Sequence, residues 1–228
     1  MDPFGTAALR SRVLAAWAAS PARFREDANA EDELVRGAYR DRLIVELAQN
    51  AADAAVRAGV PGRLLLRLDS DVLTAANTGA PLDAAGVEGL STLRASAKRD
   101  DDPVATVGRF GVGFAAVLAV TDEPAILSTA GGVRWSRSEV RAAAAGVPAL
   151  EPELARRGDA VPVLRLPYPA QGEVPPPYDT VVVLRLRDDL ARTAVADLLA
   201  GVGDAVLLAL PGLTDLVVEV DGAHRAIF

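Results

Sequence analysis

Three polar side chains recur in the segment from Glu46 to Ala54, which is otherwise mostly apolar. Glu46, Asn50 and Asp53 are spaced by four and three residues, so on an α-helix they share one face. A carboxylate, a carboxamide and a second carboxylate on one face are unusual for a helix that is otherwise apolar. The same spacing is equally typical of a polar stripe on the solvent side of a helix. The segment alone leaves a functional and a structural interpretation open.

Three further motifs follow this segment along the chain. The first is Asn77-Thr78-Gly79-Ala80-Pro81, and the second runs from Leu90 to Ser96. The third is Gly108-Arg109-Phe110-Gly111-Val112-Gly113-Phe114, which leads into an apolar run. Glycine lets a backbone approach a ligand closely, and free N–H groups at the start of a helix bind phosphate. A flexible turn before a core helix is the simpler alternative for this third motif.

The order of these motifs resembles the GHKL superfamily of ATPases, which has an N-box, a first glycine box, a lid and a second glycine box. The glycine motif ending at Phe114 is especially similar to that of heat-shock protein 90 and sacsin-like chaperones. The segment from Asp179 to Leu186 resembles the late strand of that family. The resemblance covers roughly residues 30–220. The sequence lacks the GxxxxGK[ST] motif, so the other common phosphate-binding loop is absent.

The resemblance implies a role for each matching residue. Glu46 corresponds to the general base that deprotonates the attacking water, Asn50 to the Mg²⁺ ligand, and Asp53 to a residue that supports the adenine end of the pocket. The further residues expected to bind ATP are Asn77, Gly79, Ser96, Lys98, Gly108, Arg109, Phe110, Gly111, Val112, Gly113, Phe114 and Thr180. For Lys98 a solvated loop position is an open alternative, Arg109 is equally ambiguous, and Thr180 can be a simple β-forming residue.

Two residues depart from the family pattern. Asn77 stands where the family has an aspartate that accepts from the adenine amino group, and an amide oxygen can still accept that hydrogen bond. A neutral hydrogen bond contributes about 0.5–1.5 kcal/mol against about 1.5–3 for a charged one, so the expected penalty is about 1 kcal/mol. Pro81 replaces the second glycine of the first glycine box and stiffens that loop. Asparagine at position 77 favours the sacsin-like branch of the family.

The helices and strands that must position these residues are predicted from the spacing of apolar residues and from the residues that begin or end each element. Leu9, Val13 and Trp17 predict a helix over 6–19, and Asn29 is predicted to cap a helix that runs to about Arg57. Further helices are predicted at 83–93 and 191–210, and strands at 63–68, 72–76, 125–129, 133–136, 163–166, 180–187 and 216–220. This order predicts an α+β fold, a two-layer sandwich with helices on one face of a mixed, mostly antiparallel sheet. The resemblance implies that it is of the Bergerat type.

The whole chain, 1–228, is predicted to form one GHKL-type ATP-binding domain. Residues 1–30 are predicted to form an N-terminal helical extension, and residues 95–113 a lid and glycine-rich loop. The chain is expected to be the N-terminal part of a longer protein.

Composition excludes several other classes. The chain has no cysteine and one histidine, so disulfides, thiolate metal sites and histidine-based triads are not expected. The net charge of −7 argues against a nucleic-acid-binding surface. The N-terminus has no basic segment followed by an apolar one, and no apolar run approaches the roughly 20 residues of a membrane span. These features predict a cytoplasmic protein.

The resulting functional hypothesis is a domain that binds Mg²⁺ and ATP, hydrolyses ATP slowly and drives conformational change in a chaperone-like protein. Glu46 favours hydrolysis, because histidine kinases of the superfamily usually lack that glutamate. An ATP-binding switch without turnover, or an interaction module, is the alternative. ATP and ADP are the expected ligands, with client proteins, further domains of the same chain and a second copy as candidate partners.

Overall fold

The computed structural model describes residues 2–36, 42–92 and 113–227. The predicted lid and most of the glycine-rich motif fall outside these residues. Seven candidate ligand residues lie there as well: Ser96, Lys98, Gly108, Arg109, Phe110, Gly111 and Val112.

The fold is α+β, as predicted, and is built on one eight-stranded mixed sheet. The strands are β1 Gly62–Asp69, β2 Val72–Asn77, β3 Pro124–Ser128, β4 Gly131–Arg134, β5 Tyr168–Ala170, β6 Thr180–Arg185, β7 Leu213–Val220 and β8 Ala223–Ile227. Their order across the sheet is β5-β4-β3-β6-β2-β1-β7-β8. Neighbouring strands are antiparallel except β1 and β7, which run parallel.

The helices pack on one face of this sheet. They are α1 Thr6–Ala19, α2 Pro21–Arg36, α3 Leu43–Ala58, α4 Ala84–Ser91, α5 Arg137–Ala145, α6 Glu151–Arg157, α7 Asp189–Ala200 and α8 Ala205–Ala209. Short 3₁₀ helices cover Phe114–Ala119, Pro148–Leu150 and Val163–Arg165.

Alternation along β1 shows how the two faces differ. Leu64, Leu66 and Leu68 are fully buried in the main core beneath the helices. Leu65 points to the opposite face, where a smaller cluster is covered by Tyr178 and Val174 of the proline-rich loop. Side chains alternate between faces along a strand, so the sheet has a thick apolar layer on one side and a thin one on the other.

The N-terminal helices follow the sequence prediction in part. α1 has the predicted bounds, and α3 ends at Ala58, one residue beyond the predicted Arg57, where Gly59 adopts the left-handed conformation with φ 65°. The prediction that Asn29 caps one long helix is wrong. Asn29 lies inside α2, which begins at Pro21 because proline fits the first turn of a helix.

The C-terminal half also differs from the predicted elements. The strand predicted at 163–166 is a 3₁₀ helix, Val163–Arg165, and prolines at 162 and 167 flank it and limit strand pairing. The helix predicted over 191–210 is divided into α7 and α8. Strands β5 and β8 were not predicted. Within the described ranges, no helix combines the length and apolarity needed to cross a membrane.

Candidate functional site

Helix α3 carries the polar stripe that the sequence singled out. Its apolar side, including Leu43, Leu47 and Ala51, is buried in the main core. Glu46 and Asn50 are half-buried, whereas Asp53 is exposed. The shared face predicted from the spacing is therefore not uniform, because it passes from a packed environment into solvent.

A pocket lies where α3, α4 and the middle of the sheet meet. It is lined by four of the residues predicted to bind ATP: Asn50, Asn77, Phe114 and Thr180. The sequence did not single out the other lining residues as ligands, namely Ala54, Arg57, Ala80, Pro81, Leu82, Asp83, Gly86, Leu90, Ile126 and Val182. The volume of the pocket is about 70 Å³, whereas small-molecule pockets commonly enclose about 300–1,000 Å³.

The sheet wall of the pocket presents two oxygen atoms that can serve a ligand. Asn77 and Thr180 are directly paired across β2 and β6, and both are buried. The Asn77 Nδ2 donates to the backbone oxygen of Thr78 at 3.1 Å, which leaves the amide Oδ1 as an acceptor. The Thr180 Oγ1 is buried without a hydrogen-bond partner among the described residues. An orphaned hydroxyl in a pocket wall is unusual, since buried polar groups are nearly always paired.

The loop after β2 packs directly against α3 through Gly79. A Cβ at this position would lie 2.5 Å from the Ala54 carbonyl carbon, and the φ of Gly79 is 132°, so only glycine fits. The Gly79 N–H donates to Asp179 Oδ2 at 2.8 Å, and the Ala80 N–H donates to the Ala54 oxygen at 2.9 Å. These bonds hold the first glycine motif against the helix that carries Asn50.

Asp179 fixes the loop at Gly79 through its carboxylate. Its backbone N–H also donates to the backbone oxygen of Asn77 at 2.9 Å. The sequence motifs did not indicate this role, because Gly79 lies 100 residues earlier in the chain.

Glu46 lies one helical turn before Asn50 and meets the end of the glycine-rich motif. A Cβ added to Gly113 would lie 1.9 Å from Glu46 Oε2, so the carboxylate occupies the space that any other side chain would need. Gly113 immediately precedes the 3₁₀ helix that begins at Phe114. The structure thus brings the predicted base and the second glycine motif into contact, although neither Glu46 nor Gly113 is in the pocket wall described above.

Asp53 is not in the pocket wall either. Although Asp53 is exposed, desolvation by the surrounding protein raises the pKa of its carboxyl above the usual value, and the positive charge of Arg57 opposes that effect. Arg57 itself lines the pocket.

The donor set around the pocket suits a magnesium ion that arrives with its own ligands. No group of three or more acidic or histidine side chains that could hold a metal occurs in the part of the chain that the structure describes. Mg²⁺ commonly binds through one or two protein oxygens while water and substrate phosphates complete its shell. A single carboxamide, that of Asn50, fits this kind of site.

Comparison with known proteins adds no family assignment. The chain matches no protein-family model, and no curated protein matches it.

Proposed function

We propose that this domain binds Mg²⁺ and ATP in the pocket between α3, α4 and the sheet. The observation that carries the proposal is the convergence of four motif residues far apart in sequence on one pocket: Asn50, Asn77, Phe114 and Thr180. The sequence resemblance predicts each of these four residues as part of an ATP-binding site. Their convergence supports an ATP-binding role.

The adenine base is proposed to lie against β2 and β6. Its amino group would donate to the side-chain oxygen of Asn77, which is an acceptor, while the Asn77 amide nitrogen keeps its hydrogen bond to the Thr78 backbone oxygen. The Thr180 hydroxyl can donate to a ring nitrogen, which would remove its unpaired state. Leu90, Ile126 and Val182 supply the apolar surface that a purine ring needs.

Hydrolysis is proposed to depend on Glu46. Its carboxylate accepts a proton from the water that attacks the terminal phosphate, as a positioned general base does. Asn50 would hold Mg²⁺, which when bound neutralises charge on the phosphates. Gly113 lets the carboxylate lie against the backbone of the glycine motif, next to the expected phosphate position.

The small volume of the pocket supports a coupling between binding and movement. At about 70 Å³ the pocket is smaller than a nucleotide requires, and we therefore propose that its walls move apart when ATP binds. α4 contributes Gly86 and Leu90 to those walls and is only eight residues long. We infer that ATP displaces this wall and that the displacement serves a chaperone-like protein in the cytoplasm.

The test is calorimetric titration of the full chain with ATP and MgCl₂, together with a phosphate-release assay. Glu46→Ala is expected to bind ATP but lose turnover, and Asn50→Ala to lose the magnesium dependence of binding. Gln49→Ala is the matched control, because it changes a half-buried polar residue of α3 outside the pocket wall. Binding without turnover by the parent chain would favour the ATP-switch alternative. No binding at millimolar ATP would overturn the proposal.

A further inference from the structure

A single peptide group connects Asp179 to Asn77, the residue proposed to contact adenine. It joins Thr78 to Gly79, and both of its ends are hydrogen-bonded. The Gly79 N–H donates to Asp179 Oδ2 at 2.8 Å, and the Thr78 carbonyl accepts from Asn77 Nδ2 at 3.1 Å. The peptide is trans. The N–H and C=O of a trans peptide lie in one plane and point in opposite directions, so fixing one end also fixes the other.

The carboxylate of Asp179 is compatible with only one orientation of this peptide. A carboxylate accepts hydrogen bonds and does not donate them. If the peptide turned over, the Thr78 oxygen would face the Asp179 carboxylate, and the two acceptors would repel. In the observed orientation the Gly79 N–H instead makes a charge-assisted hydrogen bond, which is stronger than one between neutral groups. Asp179 therefore keeps the Thr78 oxygen directed at the Asn77 amide.

Glycine at position 79 does not fix this orientation by itself. The φ of Gly79 is 132°, and glycine adopts positive and negative φ about equally readily. Asp179, by contrast, is held in place by its backbone: its N–H donates to the Asn77 backbone oxygen at 2.9 Å, and its carbonyl accepts from the Thr129 N–H at 3.0 Å. The fixed residue thus orients the adaptable one.

We propose that Asp179 determines which base the pocket accepts, by fixing the orientation of the Asn77 amide. This inference rests on the proposed ATP site. With Nδ2 held by the Thr78 oxygen, Asn77 presents its other amide atom, the acceptor Oδ1, to the pocket that it lines. An acceptor matches the exocyclic amino group of adenine and opposes the oxo group that hypoxanthine and guanine carry at the same position.

Removal of the Asp179 carboxylate would free the peptide to turn over. The Gly79 N–H would then face Asn77 and donate to its Oδ1, so that Nδ2 points to the base and favours an oxo group. Asp179 is not in the pocket wall, and it is therefore a positioning residue that acts through Asn77. The Thr180 hydroxyl, the other polar group of the sheet wall, both donates and accepts, so it suits either base.

The experiment compares ATP with ITP, in which an oxo group replaces the amino group of adenine, by calorimetric titration of the full chain in MgCl₂. The parent chain is expected to bind ATP at least about tenfold more tightly, because ITP sets its oxo group against the Asn77 oxygen. Asp179→Ala is expected to lower ATP affinity about three- to tenfold, as for one lost hydrogen bond, and to raise ITP affinity. A general loss of structure cannot produce these opposite changes.

Asp188→Ala is the matched control. Asp188 follows the far end of β6, and its Oδ1 accepts from the Ala191 N–H at 2.8 Å, the distance found between Asp179 and Gly79. The substitution removes the same charge and the same kind of hydrogen bond outside the pocket wall. It is expected to leave both nucleotide affinities unchanged.

Two further variants keep the test decisive if Asp179→Ala does not fold. Asp179→Asn preserves the shape of the side chain but can donate as well as accept, so it permits both peptide orientations. It is expected to lower the ratio of ATP to ITP affinity at least about threefold, a part of one hydrogen bond. Asn77→Ala removes the amide, and in that background Asp179→Asn should not change the ratio further.

Four results would overturn the inference while leaving the ATP site in place. They are equal binding of ATP and ITP by the parent chain, equal losses of both affinities in Asp179→Ala, a ratio that Asp179→Asn leaves unchanged, and a further change of the ratio in the Asn77→Ala background. If the parent chain binds neither nucleotide, the proposed function fails, and the inference fails with it.

Discussion

The carboxylate of Glu46 occupies the space where a side chain at position 113 would begin. A Cβ on Gly113 would lie 1.9 Å from Glu46 Oε2 and 2.9 Å from its Cδ. The contact joins a helix in the first quarter of the chain to the end of the glycine-rich motif. It gives a physical reason for glycine at position 113 that does not depend on any ligand.

Gly113→Ala is expected to lower ATP turnover at least about tenfold, which corresponds to a loss of at least about 1.4 kcal/mol of transition-state stabilisation. ATP affinity should stay within about threefold of that of the parent chain. The clash falls on the flexible end of Glu46, so the carboxylate moves and the fold survives. Steady-state phosphate release and calorimetry measure the two effects. Gly89→Ala in α4 is the matched control, since its Cβ meets nothing within 4 Å. The substitution should have no further effect in a Glu46→Ala background; an additional loss there would contradict this explanation.

Gly79→Ala is expected to destabilise the fold by at least about 3 kcal/mol, because overpacking and backbone strain act together. The new Cβ would lie 2.5–2.6 Å from backbone atoms of Ala54 and Ala55, which cannot rotate away. Urea unfolding followed by circular dichroism measures the change. Gly59→Ala isolates the strain, since φ there is also positive but the space is open; it should cost about 1 kcal/mol. Equal losses at the two positions would show that packing against α3 is unimportant.

Thr180→Val is expected to weaken ATP binding without lowering the stability of the fold. The Thr180 hydroxyl has no partner among the described residues, so its removal should leave stability unchanged or raise it by about 1 kcal/mol. ATP affinity should fall about five- to tenfold if that hydroxyl binds the adenine. Thermal unfolding and calorimetry give the two values. Thr74→Val on β2, outside the pocket wall, should leave ATP affinity unchanged. A loss of stability without a loss of affinity at Thr180 would argue for a purely structural hydroxyl.

Stability is expected to fall as pH rises toward neutrality because of Glu31. Burial raises the pKa of this carboxyl from 4.5 to about 7 in the folded chain, so the folded state binds the proton more tightly than the unfolded state. The stabilisation is complete below pH 4.5 and is lost as pH rises through about 7, a change on the order of 3 kcal/mol.

Urea unfolding between pH 5 and pH 8 measures this dependence. Glu31→Gln should flatten the curve, because glutamine does not ionise. Glu33→Gln, at an exposed position on the same helix, should preserve it. A curve that Glu31→Gln leaves unchanged would assign the pH dependence to other groups.

Local patterns in the sequence were enough to predict much of the fold. α1 was predicted to the residue because Leu9, Val13 and Trp17 repeat at helical spacing and Ser20-Pro21 interrupts the pattern. β1 and β2 follow from alternation on either side of a tight turn. The α2 start at Pro21 was missed because proline both ends one helix and begins the next. Val163–Arg165 was missed because a short apolar run does not distinguish a strand from a 3₁₀ turn.

The residues of the candidate site were likewise predictable from the sequence only in part. Asn50, Asn77, Phe114 and Thr180 could be selected from motif order, and they line one pocket. Asp179 could not be selected, because its role depends on a partner distant in the chain: its carboxylate accepts from the backbone N–H of Gly79. No local spacing encodes such a tertiary contact.

Helix α4 separates the small pocket from a second cavity of about 710 Å³, which lies between α4 and helices α1 and α2. Gly86 and Leu90 line the small pocket, whereas Glu88 and Ser91 line the second cavity, so a displacement of this eight-residue helix would alter both at once. A molecule in the second cavity that prefers one position of α4 would then carry a coupling free energy to the small pocket, and thermodynamic linkage makes that coupling equal in both directions.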